Sequence, residues 1–356
     1  MDAYSAVAMQ RVGLLAEIPA MVTAFGLAPG KVLCEAGLVA DALDDPEGLI
    51  PYVALGRLLG ACIRQTGLSS FHLRLAQRGG TASLGLVGRF MASAPTLGAA
   101  LLDIVSNQHR YVRGGLPYLI ASEDVVFLGY IIEDPATPFA TLIYQTMMAF
   151  GTTIVRELAG VSPLELRLAH QPPPEIGTFR QFFDAPVTFD STQTALVYPR
   201  SAMARRLPGT NPALRSQLAD EVRSYWALPE PGLLERAERI LHARVSYGGC
   251  RLEDLAAELG LTKRILNRRL AAEGTTFRQL LGQVRFKAAS QLLALTSLSL
   301  TEISHAFGYA ESSAFTRAFR RWSGLAPSEW RSSTAGDRWC PRHDRRVRTA
   351  RSFALS

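Results

Sequence analysis

The chain has 356 residues, of which 48% are hydrophobic and 19% charged, and its 38 Lys+Arg against 31 Asp+Glu give a formal charge of +7. That is enough apolar material for two or three domains with their own cores, and no run of roughly 18 uninterrupted apolar residues is present, which excludes an ordinary transmembrane helix. Four cysteines, Cys34, Cys62, Cys250 and Cys340, lie apart without CxxC spacing, which argues against a disulfide framework and for a reducing, cytoplasmic setting.

Taken in chain order, MDAYSAVAMQRVGLLAEIPAMV begins with an acid, lacks a basic leader and is interrupted by Arg11 and Glu17. It is expected to be part of the fold and not a secretory signal. Helical patterns are expected at 5–25, 51–66, 83–93, 96–110 and 138–159. Strands are expected at 125–132, 164–170, 186–190 and 195–199, each bounded by Gly, Pro or acidic turn residues. QPPP at 171–174 reads as a rigid corner. Residues 1–207 therefore form one mixed α/β unit, and 208–232, bracketed by PGTNP and LPEPG, reads as an interdomain connection.

From 233 the pattern changes to short helices separated by single glycines: 233–245, 252–259, 262–273, 276–295, 299–307 and 311–322. Thr262 is a suitable N-cap, and Ser299 with Glu302 has capping-box spacing. The last helix is expected to be stopped by Gly324 and Pro327. Ala256-x3-Gly260 and Ser304-x3-Gly308 repeat one arrangement at a separation near 49 residues. In each, a small residue lets two helices cross closely and a glycine supplies the positive φ of a tight turn, which is the helix-turn-helix pattern, met twice.

The charge is concentrated at the same end. Residues 1–250 hold 20 basic against 22 acidic side chains, residues 251–331 hold 12 against 7, and residues 332–356 hold 6 against 2. A near-neutral body with a basic end suits nucleic-acid binding. In the second helix of the later pair, Phe315, Ala318, Phe319 and Trp322 fall on one stripe, and Ser313, Arg317, Arg320 and Arg321 fall opposite. In the earlier pair Leu266 and Leu270 face Arg264, Asn267 and Arg268 across the wheel. Arginine pairs with guanine and asparagine with adenine in the major groove, so Arg264, Asn267, Arg268, Ser313 and Arg317, with Thr316 beside them, suit base readout. Arg320 and Arg321, with Thr262 and Lys263, suit phosphates. A 20-residue helix at 276–295 spans about 30 Å, close to one duplex turn of about 34 Å. It can hold two reading helices in successive grooves.

Residues 233–331 resemble the DNA-binding domain of the AraC/XylS transcription regulators, most specifically through LSLTEISHAFGYAESSAFTRAFRRWSGLAPSEWR, and also through LEDLAAELGLTKRILNRRLAAEGTTFRQLL. The resemblance implies an all-α domain of two helix-turn-helix units joined by a long helix at 233–332. It adds Ser312 to the DNA contacts. Ser304 stands where alanine is usual at the crossing, and Ala310 where a capping serine is common. Residues 333–356 form a basic extension expected to be disordered.

HQPPPEIGTFRQFFDAPVTFDSTQTALVYP, within residues 19–205, is similar to the arabinose-binding-like N-terminal domain of a subgroup of these regulators. That implies an α+β sensor at 1–207 that binds a small-molecule effector and self-associates. The expected protein is thus a ligand-responsive activator that binds double-stranded DNA as a homodimer, with RNA polymerase a candidate contact and no membrane partner. The body itself offers no catalytic or metal-binding pattern. His72, His109 and His170 are isolated and read as structural, and metal spacing, a nucleophile elbow and a phosphate loop are missing. No enzyme activity and no cofactor are expected. An enzyme-like body, or a basic end that holds an acidic protein, are the readings set against this one. TLIYQTMMAF (141–150), Phe90 and Met91 suit the lining of an apolar pocket. A hydrophobic or amphipathic effector would fit there, with Arg74, Arg89 or Arg113 for an acidic head group.

Overall fold

A computed structural model describes residues 8–107, 112, 114–134, 136–225, 232–247 and 249–335. The helix expected at 5–25 is not formed. Strand β1 (Met9–Arg11) instead pairs antiparallel with β2 (Leu49–Pro51), and a 3-10 turn at Gly13–Glu17 leads into a short α1 (Ile18–Thr23). Gly13 has φ +42°, incompatible with a continuous helix. Arg11 turns inward, donating to the Glu47 carboxylate and to the Ser83 carbonyl.

Of the helices α2 (Pro29–Ala36), α3 (Tyr52–Thr66), α4 (Phe71–Arg78), α5 (Gly85–Ala92), α6 (Leu97–Asn107) and α7 (Ala140–Ala159), α6 and α7 pack on a five-stranded sheet, α3 and α4 pack on α7, α2 on α3 and α5 on α6. Its strands are β3 (Gly115–Ala121), β4 (Val125–Ile132), β5 (Glu165–Arg167), β6 (Val187–Thr188) and β7 (Ala195–Pro199), in the order β3-β4-β7-β5-β6. All neighbours are antiparallel except β5 and β6. Leu128 lies opposite Leu196 in the register. Both lie beneath Gly151 of α7, where an added Cβ would come within 3.3 Å of Leu196, so the missing side chain is what lets the helix lie close to the sheet. β3 carries Pro117 and was not expected as a strand. It is tolerated because β3 is the sheet edge, where a missing N–H is least costly. Helix α8 (Ile176–Phe183), unforeseen beyond the QPPP corner, packs Phe179, Phe182 and Phe183 into the core.

His72 of α4 is buried, its ring 5.9 Å from that of Phe179. Burial, reinforced by nearby His170, lowers its pKa from 6.5 to about 4. A depressed histidine leaves the fold fully stable above the unfolded value and destabilises it as pH falls from there towards 4. Between pH 7 and pH 4.5, urea unfolding is therefore expected to show a stability change less favourable by about 2–3 kcal/mol than that of His72→Leu. An unchanged pH slope in that variant would rule this residue out as the source. His170 is satisfied: Nδ1 bonds to the Gln171 carbonyl at 2.7 Å and Nε2 pairs with Gln145 Nε2 at 3.2 Å. His109 lies outside the described residues.

The stretch 208–232, expected as a connection, is helical over much of its described part. It contains helix α9 (Pro212–Tyr225), which packs on α5 and buries Leu218 and Val222. Arg215 spans Asp103 with two bonds of 2.9 and 3.0 Å and lies 4.2 Å from the centre of the Phe90 ring. Burial raises the Asp103 carboxyl to about 6 against the pull of that guanidinium.

The remaining helices are α10 (Leu233–Arg244), α11 (Leu252–Glu258), α12 (Lys263–Ala272), α13 (Phe277–Leu295), α14 (Leu300–Ala306), α15 (Ser312–Ser323) and α16 (Pro327–Ala335). Pro327, read as a stop, is the first residue of α16, where its missing N–H costs nothing. These helices share a core with the outer face of β3 and β4, through Tyr118, Ile120 and Ile131. The exposed edge of β3 is closed from the same side. Ala121 N–H donates to the Ser246 carbonyl at 3.0 Å, and the Ser246 hydroxyl donates to the Leu119 carbonyl at 2.7 Å. Closing an edge strand in this way protects it from pairing elsewhere.

Candidate nucleic-acid interface and effector cavity

The two helix pairs have the same turn. Leu261 N–H donates to the Ala256 carbonyl at 2.8 Å, and Tyr309 N–H to the Ser304 carbonyl at 3.0 Å, across Gly260 (φ +67°) and Gly308 (φ +75°). Ala256 and Ser304 are both buried at the crossing, and the Ser304 hydroxyl is satisfied by the Thr301 carbonyl at 2.9 Å. Serine therefore substitutes for alanine without an orphaned polar group. α12 is capped by Thr262, which accepts from Ile265 N–H. α14 is closed by the reciprocal Ser299–Glu302 box, with bonds of 2.7 and 3.1 Å.

α15 has no such cap. Its N-cap is Glu311, whose side chain makes no capping bond and instead accepts from the Ser313 hydroxyl at 3.0 Å. Sequence reasoning passed over Glu311. The signal was an acid directly before the residues singled out, at the position that starts the helix. Below the surface, α15 is held by rings: Phe315 lies 6.1 Å from Phe307 and 5.7 Å from Tyr309, and Phe319 lies 5.4 Å from Phe286 and 5.9 Å from Trp330. Trp322 is only half-buried. It sits over Gly282 of α13, where an added Cβ would approach its indole nitrogen to 3.3 Å.

On the outer faces, Arg264, Asn267, Arg268, Ser313, Arg317, Arg320 and Arg321 are exposed, and Ser312 and Thr316 are partly so. The two clusters sit on helices flanking α13, whose 19 residues span about 28 Å. Thr316 spends its hydroxyl proton on the Ser312 carbonyl at 2.8 Å, keeping its lone pairs to accept. Of the phosphate candidates, Thr262 is committed to its cap, and Lys263 is paired with Glu253 at 2.6 Å, holding that carboxyl below its ordinary range.

In the body, an apolar cavity of about 110 Å³ lies between α7 and the inner sheet face. Met147, Met148 and Phe150 from the TLIYQTMMAF stretch line it, together with Met91. Phe90 does not; it lies under Arg215 at the edge of a second cleft, between α6, α9 and α10. The arginines expected at an acidic head group are not found at this cavity among the described residues. Arg74 and Arg89 are exposed and do not line the cavity, and Arg89 pairs with Glu221 at 3.3 Å. Each sits on a short amphipathic helix whose apolar side is buried, which turns the charge outward. Arg113 lies outside the described residues. The charged residue actually at the cavity is Arg11.

A family model for the arabinose-binding N-terminal domain of AraC transcription regulators matches residues 26–207, and a helix-turn-helix domain model matches residues 255–333. The chain is 28% identical over 320 residues to the ornithine utilization regulator of Pseudomonas aeruginosa, covering 88% of this chain and 93% of that protein. It is 28% identical over 283 residues to the transcriptional regulator VirS of Mycobacterium tuberculosis, covering 78% and 82%. Among solved structures, the transcriptional regulator CdpR of Pseudomonas aeruginosa aligns with a TM-score of 0.40 at 23% identity, over 77% of this chain and 91% of that one.

Proposed function

Because the chain belongs to the AraC family of transcription regulators, we propose that α12 and α15 read two successive major grooves on one face of DNA, under the control of a small molecule held in the N-terminal body. The family and these relatives are regulators and not enzymes, and they support a DNA-binding function with an effector-binding domain. Base contacts fall to Arg264, Asn267, Arg268, Ser312, Ser313, Thr316 and Arg317. Phosphate contacts fall to Arg320 and Arg321, and to Thr262 and Lys263 once Lys263 exchanges Glu253 for a phosphate. The observation that carries this is the duplicated geometry: two matching turns, one inter-unit helix of about 28 Å, and exposed arginines whose side chains make no hydrogen bond or ion pair among the described residues.

The sensing unit extends beyond 207 to include α9, and 233–332 is the reading unit. Coupling between them is supported by α6. Its Leu101 and Ile104 line the apolar cavity, and its other side packs on α10, with Tyr247 Oη 2.6 Å from where a Cβ on Gly98 would stand. A ligand that shifts α6 therefore has a direct path to the reading unit. Self-association of the body, activation through RNA polymerase and a cytoplasmic location complete the proposal; among the described residues no helix is long and apolar enough to cross a membrane.

Selection of bound sites from a random duplex library, with the full chain at about 150 mM salt, tests the reading. The expected product is a motif with two half-sites about one helical turn apart. Recovery of unenriched sequence, with and without a cell-metabolite extract, would overturn it.

A further inference from the structure

The cavity beneath α7 has walls that restrict what it can hold. Leu101, Ile104, Met148, Ile154 and Leu196 give it an apolar body, and the lining residues with polar side chains are Gln10, Arg11, Ser83 and Tyr130. Arg11 carries the charge there, and its guanidinium is occupied, with Nε and Nη2 on the Glu47 carboxylate and Nη1 on the Ser83 carbonyl. An anionic ligand would leave water to meet an arginine already neutralised, which is unfavourable in an apolar site. Tyr130 Oη is paired with Tyr52 Oη at 3.2 Å.

Gln10 is different. Its Nε2 donates to the Arg11 carbonyl at 2.9 Å, while its Oε1 is buried with no hydrogen-bond partner among the described residues. The orientation of the amide is fixed, because turning it over would set two oxygens against each other. A buried acceptor without a donor is a cost that a ligand can remove. A sugar, with a hydroxyl on nearly every carbon, would need several such partners and finds only this one and the Ser83 hydroxyl. Size narrows the choice further. An apolar cavity of about 150 Å³ accepts one benzene, so about 110 Å³, with methionines that can give way, suits a single ring or a short branched chain.

We propose that this cavity is the effector site and that its ligand is a neutral, ring-sized molecule bearing one hydrogen-bond donor, which it places on Gln10 Oε1. The assignment rests on the effector-sensing reading above and departs from it in excluding both sugars and acids.

Phenol, anisole and benzoate are three probes of similar size: neutral with a donor, neutral without one, and anionic. Calorimetric titration into the full chain is expected to give saturable binding of phenol, at least fivefold weaker binding of anisole, and none of benzoate. Gln10→Leu is expected to remove the preference for phenol over anisole. Ile104→Phe, which fills the cavity, is expected to abolish binding of both. Should Ile104→Phe fail to fold, as judged by circular dichroism, Leu101→Phe serves the same purpose.

Equal binding of phenol and anisole by the unmodified chain, a phenol preference that survives Gln10→Leu, binding of benzoate, or no binding of any probe overturns the proposal. Gel shifts on the selected duplex, run on the same samples, separate the two layers. Absence of probe binding with sequence-specific DNA binding intact overturns only the cavity assignment. Phenol binding of the expected pattern, in a chain that recognises no DNA sequence, supports the cavity and overturns the regulator reading.

Discussion

Replacing Phe319 by alanine is expected to destabilise the helical region by about 3–5 kcal/mol, the range for removing a fully buried aromatic ring. Phe319 is 0% exposed and is the ring on which the others converge, with Phe286, Phe315 and Trp330 within 5.4 to 5.9 Å and Trp322 at 6.5 Å. α15 holds few other anchors. Its N-cap makes no side-chain bond, and its exposed side is almost wholly polar. Domains of this size are stable by about 5–15 kcal/mol, so this one change removes a large part of what seats the helix. Urea titration followed by tryptophan fluorescence reads it directly, since Trp322 and Trp330 both report on this cluster. DNA binding is expected to fail together with stability. A midpoint shifted by less than the equivalent of 1 kcal/mol would show that the ring cluster is not what holds α15.

Arg317→Ala is expected to do the opposite: binding lost, fold kept. The side chain is exposed and makes no hydrogen bond or ion pair among the described residues, so its removal should change stability by no more than about 0.5 kcal/mol. If it forms a bidentate pair with a base, its loss costs about 1–3 kcal/mol of discrimination, a fall of roughly 5- to 150-fold on the cognate site. Affinity for unrelated duplex should change little. Arg320→Ala provides the contrast, because a phosphate contact weakens all sequences alike and lowers the salt dependence by about one counterion. Uniform weakening by Arg317→Ala, or none, would move base reading away from this face.

The reading half was legible because its signals are local. Caps at Thr262 and Ser299, turn glycines at 260 and 308, and small residues at the crossings each act within a few positions, and all are found in place. The sensor half depends on contacts distant in sequence. Arg11 reaches Glu47 and Ser83, and this, with Gly13, turns an apparently amphipathic opening into a strand and a 3-10 turn. Pro117 conceals an edge strand, and Pro327, a stop signal by residue type, opens a helix. The cavity proposed for the effector was half-legible. The methionine-rich run does line the cavity, but Arg74 and Arg89 point to solvent. The group that bears on ligand choice, Gln10 Oε1, is conspicuous only once its burial and missing partner are known.

The most direct test of two reading helices held in register by α13 is to change the spacing of the selected site. Gel-shift titration of the full chain compares the selected duplex with one carrying five additional base pairs between its half-sites, about half a helical turn. A rigid spacer of 19 residues cannot follow a half-site to the opposite face of the duplex. Affinity is therefore predicted to fall to that of a duplex with one half-site destroyed. Undiminished affinity for the lengthened site would contradict the account, because it would mean that α12 and α15 do not read DNA together.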